Sequence, residues 1–323
     1  MARIFGIIFF IVLLCFGACR KETTRFGKTD EGLLQNLSDY GIFQGPMSEL
    51  DPSPGFVPYD ISTPLFTDYS EKQRLVKLPA GGLLGPAGDG LPHFPEGTML
   101  VKTFYYYKDK RDLSSEKKIL ETRILLLKNS KWSAGTYVWN DAQTEATLFT
   151  AGLNKTVNWI DEQGKAKVIS YRIPDKKACL TCHQRDNTVL PLGPKMRNLN
   201  IMVKRNNSLI NQLNYFEDSG IMNFVDPSSF AMLPDWSDPS ASLEARSRAY
   251  LDVNCAHCHN SKGFASGSNL YMNYELPLEE TRIRQKMQGI LEEMEKERMP
   301  KIGTTVLDEE GLALLKKYLA TMN

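Results

Sequence analysis

The stretch Met99-Leu100-Val101-Lys102-Thr103-Phe104-Tyr105-Tyr106-Tyr107 crowds β-branched and aromatic residues into one run without Gly or Pro, which predicts a β-strand. Outward from it the same character recurs. Leu75 to Leu78, Ile119 to Lys128, Gly135 to Trp139, Ala146 to Phe149 and Val168 to Tyr171 are further runs of this kind. Turn clusters at Gly81-Gly82, Lys108 to Asp112 and Asn129 to Lys131 divide them. Six short strands at close intervals predict an antiparallel sandwich or barrel. Phe104 to Tyr107 are expected to fill both faces of that sheet rather than to form a ligand platform.

Beyond residue 183 the pattern becomes helical. Asn198 to Tyr215 and Asp238 to Leu251 read as helices, and Asp308 to Met322 as a closing helix with Leu312, Leu315 and Leu319 along one stripe. A first helix is expected at Thr29 to Tyr40, capped by Thr29 or Asp30 and ended by Gly41. Residues 44–70 are rich in Pro, Ser and Asp and read as an ordered loop.

Two pentapeptides carry the chemistry: Cys179-Leu180-Thr181-Cys182-His183 and Cys255-Ala256-His257-Cys258-His259. C-x-x-C-H is the attachment signature of c-type haem. On a helical turn, residues i and i+3 share a face, so two thiols can bond two vinyl groups on one porphyrin edge. The following imidazole then ligates the iron. A four-cysteine zinc ribbon places its pairs about 15–20 residues apart, whereas 72 residues separate Cys182 from Cys255. A redox dithiol needs no trailing His, yet both copies have one. Two covalent haem c groups are therefore expected, on Cys179, Cys182, Cys255 and Cys258, with iron on His183 and His259.

The second motif is followed by a loop, a Met near the end and a closing helix, the layout of a class I cytochrome c. Met299, in Arg298-Met299-Pro300, is the expected sixth ligand, because thioether opposite imidazole stabilises ferrous iron. Met272, Met287 and Met294 are its rivals, and Tyr318 is expected against the ring. The sixth position of the first haem stays open among Met196, Met202, Met222, Met232, His93 or no ligand. His257 faces away from its own iron and suits the surface or an inter-haem contact.

At the N-terminus Arg3 precedes an apolar run from Ile4 to Phe16, and Phe16-Gly17-Ala18-Cys19 resembles a lipobox. The expectation is a periplasmic or cell-envelope lipoprotein held to a membrane through lipidated Cys19, ahead of plain secretion or an uncleaved anchor. Export and c-type haem agree, since that haem is attached outside the cytoplasm. Without Arg3 the chain holds 38 basic and 38 acidic residues, which gives nucleic acid no electrostatic footprint. Lys176-Lys177, Lys195 to Arg197 and Lys204-Arg205 could face an acidic redox partner, although solvated surface explains them better. Only four His are present, too few for a separate copper or zinc centre of imidazoles or for a spare catalytic base beyond His93.

The expected fold class is α+β: an antiparallel β-rich N-terminal domain followed by a mostly α-helical cytochrome c-like haem domain. Its divisions are a signal peptide (1–18), a tether and short helix (19–47), the β-rich domain (48–175), a first haem segment (176–237) and a class I cytochrome c-like domain (238–323). Pro64 to Tyr69, Gly97 to Phe104, Tyr137 to Thr144, Ala178 to His183, Pro191 to Asn200 and Tyr250 to His259 together resemble a largely uncharacterised bacterial family of exported diheme c-type cytochromes. The resemblance implies haem binding at the six motif residues and electron transfer with unknown donor and acceptor proteins. A diheme peroxidase is the alternative enzyme, but such enzymes carry their first motif early in the chain. A third reading makes the β-rich domain a module that recruits a dehydrogenase or a carbohydrate.

Overall fold

A computed structural model describes residues 32–185, 188–300 and 302–322. The expected signal peptide, lipobox and Cys19 lie outside the described residues. Among those described, no helix is long and apolar enough to cross a membrane.

One six-stranded antiparallel sheet organises the molecule. Its strands follow chain order: β1 (Val57–Pro58), β2 (Glu71–Lys77), β3 (Met99–Tyr107), β4 (Lys117–Lys128), β5 (Lys131–Trp139) and β6 (Ala146–Leu148). A meander of this kind follows from short turns. Asn129 and Ser130, both at positive φ, close β4 onto β5, and Glu96 accepts from their amides. The hairpin β7 (Leu153–Ile160) and β8 (Ala166–Ile173) forms a separate two-stranded sheet. The six strands thus form an open sheet with edges at β1 and β6, not a barrel.

The two faces of this sheet are covered differently. On one, Leu75, Val101, Ile124, Tyr137 and Trp139 pack under Leu33, Leu37, Ile42, Phe43 and Phe56 of the N-terminal segment. The other face is apolar at both ends. Val76 and Leu100 meet Met196, Leu199, Leu213 and Phe216 at one end, and Tyr106 and Leu120 meet Trp159 and Tyr171 of the β7–β8 hairpin at the other. Phe104 and Tyr106 are fully buried, as expected of strand residues filling a face.

The rest of the chain alternates short elements: α1 (Lys176–His183), β9 (Gln184–Arg185), β10 (Thr188–Val189), α2 (Met196–Leu199), β11 (Met202–Arg205), β12 (Ser208–Asn211) and α3 (Gln212–Asp218). Then come α4 (Leu243–Asn254), α5 (Leu278–Thr281), α6 (Ile283–Glu295) and α7 (Glu309–Ala320). The last of these, with Asp308 as N-cap, falls where the sequence predicted it.

The expected division into a β-rich domain and a mostly α-helical cytochrome c-like haem domain is corrected by this architecture. The molecule is β-rich, and residues 176–237 add four strands and only short helices. Their apolar residues cover the sheet instead of building a helical core of their own. The helix expected at Asn198 to Tyr215 is broken by the β11–β12 hairpin, whose turn residues Asn206 and Asn207 both take positive φ. Among the described residues of the expected Thr29 to Tyr40 helix, only Ser38–Tyr40 is helical, as one 3-10 turn. Leu37 N donates to Ala146 O and Leu148 N to Gln35 O, so the chain runs alongside β6 instead.

Candidate haem-binding site

Each motif rides on a helix end. Asp175 accepts the Ala178 amide at 2.7 Å and starts α1, which ends on His183. The second motif continues from α4, with Cys255 N donating to Leu251 O at 2.9 Å and His259 N to Cys255 O at 2.9 Å. The turn then doubles back so tightly that a Cβ on Gly263 would stand 2.3 Å from Cys258 O.

Folding brings the motifs together. The donor atoms of Cys182, His257 and Cys258 all lie within 4.8 Å of one another. All four motif cysteines are free thiols. The Cys182 contact with Cys258, and then burial, push the Cys182 thiol up, and burial pushes Cys255 up to about 12.

Two cavities meet at this junction. The first, of about 380 Å³, is lined by Cys179, Cys182, His183 and His257 together with residues of β2 to β5. The second, of about 960 Å³, is lined by Cys182, Cys255, His257, Cys258, His259 and Met299. Both volumes belong to the range of about 300–1,000 Å³ that cofactor pockets occupy. Cys182 and His257 line both, and the His257 Nδ1 is buried without a partner among the described residues. His257, expected at the surface or at an inter-haem contact, is half-buried between the two cavities.

The imidazoles are prepared as ligands. His183 Nδ1 lies 2.9 Å from Leu190 O, so with the proton on Nδ1 the Nε2 lone pair is free for a metal. Burial lowers His183 to about 4 and keeps the ring neutral. His259 is also lowered by burial, and Ser268 Oγ stands 3.4 Å from its Nδ1. Free thiols and neutral imidazoles at both pentapeptides, beside a largely apolar second cavity and a first cavity with one strongly basic wall, fit a covalent haem at each.

The sixth-ligand candidates separate only in part. Met299, Met272 and Met294 line the second cavity, while Met287 is in the helical core. Tyr318 also belongs to that core and does not line the cavity. At the first cavity none of Met196, Met202, Met222, Met232 or His93 contributes to the described wall. Met196 and Met222 are buried in the sheet-covering core, Met202 and Met232 are exposed, and His93 is exposed beside Gly85.

Sequence reasoning missed the polar wall of the first cavity: Arg74, Lys102, Arg123, Arg197 and Asp252. One signal was available. Lys102 interrupts the apolar run Met99 to Val101 and Phe104 to Tyr107 of β3, where a charge needs a reason.

The residues around the second motif have structural partners. Tyr250 donates to Asp308 at 2.9 Å and joins α4 to the N-cap of α7. Asp252 accepts from Arg197 at 2.9 Å, and Asn254 accepts the Phe66 amide at 2.8 Å. Asp68 in turn accepts from Thr305 N and Oγ1 at 2.7 and 2.8 Å, tethering the segment between Met299 and Asp308 over the second cavity.

No family model, curated protein or solved structure matches the chain. The candidate site therefore rests on its own residues.

Proposed function

We propose that the protein is an exported diheme c-type cytochrome that transfers electrons through two covalently bound haems, as the resemblance to the exported diheme family implies. The convergence of the two C-x-x-C-H motifs, 72 residues apart in sequence, on one junction carries this reading. Covalent haem supplies one-electron chemistry at iron, set by axial ligand, burial and surrounding charge. The chain's contribution is attachment through Cys179, Cys182, Cys255 and Cys258, axial imidazoles from His183 and His259, and two half-buried cavities beside them. The Leu190 carbonyl orients the His183 ring, and Met299, which lines the second cavity as Met272 and Met294 do, is the sixth ligand this reading takes for the second haem. The N-terminal lipobox adds membrane attachment through Cys19 on the exported side, and redox proteins, an unnamed donor and acceptor, are the partners in view.

Covalent haem counting tests the reading. Protein matured with the haem-attachment machinery should carry two haems by mass and by alkaline pyridine spectrum. Cys179→Ala with Cys182→Ala should leave one, as should Cys255→Ala with Cys258→Ala. No covalent haem on the wild type would defeat the proposal. Met299→Ala should abolish the weak ferric absorption of an iron–thioether bond, and persistence of that band removes Met299 as a ligand.

A second reading has one observation behind it. Cys182, His257 and Cys258 alone could hold a metal ion such as zinc, with a fourth position open. It leaves Cys179, Cys255, His183 and His259 without a role. Stoichiometric zinc in place of haem would favour it.

A further inference from the structure

Three cations stand in one row across the middle of the sheet. Arg74 on β2 pairs directly with Lys102 on β3, and Lys102 pairs directly with Arg123 on β4. All three line the first cavity beside Cys179, Cys182 and His183. Like charges directly opposite one another weaken a sheet, and burial worsens the cost. Such a row needs anions.

The carboxylates nearby do not supply enough of them. Glu121 serves Arg123 in a two-point contact at 2.9 and 2.6 Å. Glu71 is engaged by Lys110 at 3.0 Å, and Asp60 by Arg205 at 2.7 Å. Across the cavity, Asp252 is taken by Arg197 and Lys195, and Glu275 by Arg197. Arg74 is only 8% exposed, and its Nη2 is buried with no hydrogen-bond partner among the described residues. Lys102 and Arg123 lie 4.7 and 4.5 Å from the centre of the buried Phe104 ring, a contact that orients both without neutralising either. Glu121 answers Arg123 alone, which leaves Arg74 and Lys102 without a carboxylate at the cavity wall, and burial followed by the Arg74 charge pushes the Lys102 ammonium well below its ordinary value.

We propose that the row Arg74–Lys102–Arg123 is a receptor for a pair of carboxylates, namely the two propionate groups of the haem attached at Cys179 and Cys182. The inference rests on the haem reading above and adds the orientation of that group: its thioether edge at α1 and its acidic edge against the sheet. Arg74 offers planar, two-point geometry to one carboxylate, and Lys102 offers a point charge that two can share. A free small dicarboxylate has the same chemistry and is the other possible source.

The test compares holoprotein carrying Arg74→Gln with Lys102→Gln to wild type and to the charge-keeping pair Arg74→Lys with Lys102→Arg. Loss of two nearby cations removes a stabilisation that is larger for the reduced haem, which carries one more negative charge, so that haem should become harder to reduce. The expected change is at least tenfold in that haem's reduction equilibrium, about 59 mV for a one-electron couple. The other haem and the charge-keeping variant should stay near wild type. An unchanged potential in a neutral variant that still carries two haems overturns the inference and spares the haem reading. Malonate binding to wild type that the neutral variant loses, without a change of potential, assigns the row to a free anion and also overturns it. Absence of covalent haem from the wild type defeats both.

Discussion

Asp252 shows how much one side chain in the second motif's flank carries. It is 5% exposed, accepts from Arg197 at 2.9 and 3.0 Å and from Lys195 at 3.3 Å, and also accepts the Tyr274 amide at 3.1 Å. Burial alone would raise its pKa, but the two cations and the amide hold it below the ordinary carboxylate value. A depressed folded pKa gives stability that is present above about pH 4 and is lost as pH falls through the lower folded value. Asp252→Asn keeps the shape and leaves Arg197 facing only Glu275, so a loss of about 3–5 kcal/mol is expected. Chemical denaturation at neutral pH measures it, and the difference from wild type should narrow in acid. A change within about 0.5 kcal/mol would show that the buried pair does not hold the fold.

At the scale of elements, helix propensity and tertiary contact make opposite demands at Gly311. In the first turn of α7, replacing Gly by Ala should add roughly 1 kcal/mol of stability by propensity. A Cβ there would lie 2.3 Å from the ring and hydroxyl of Tyr250, the residue that joins α4 to Asp308. Gly311→Ala is therefore expected to destabilise by about 1–3 kcal/mol through overpacking, read as a lower thermal midpoint. Stabilisation instead would mean that α4 and α7 can separate without cost. Strand legibility follows the same logic. The strands β3 to β6 were readable because their aliphatic, β-branched and aromatic residues form runs between turn clusters, and the sheet buries such runs on both faces. The hairpin partner β7 was not, since only Val157 and Trp159 of its eight residues are buried. The β11–β12 hairpin carried a signal in Asn206-Asn207, a pair suited to a two-residue turn, but the surrounding apolar spacing also suited a helix.

For the whole molecule, the decisive feature is that Cys182 and Cys258 share one junction. Two redox groups attached there would interact electrostatically through a poorly screened interior. Removing the second haem with Cys255→Ala and Cys258→Ala should thus shift the potential of the first, and stepwise titration of the wild type should depart from two independent one-electron curves. Independent curves, with the first potential unmoved in the variant, would mean the junction does not couple the sites. The pentapeptides, the strand run and the closing helix were set by the sequence alone, because each depends on residues within one or two turns of chain. Only tertiary structure decided that residues 176–237 cover a sheet face, that His257 borders both cavities, and that Arg74, Lys102 and Arg123 form one row. Those placements depend on strand register and on pairing between distant segments, whose energies come from burial and charge that no local pattern encodes.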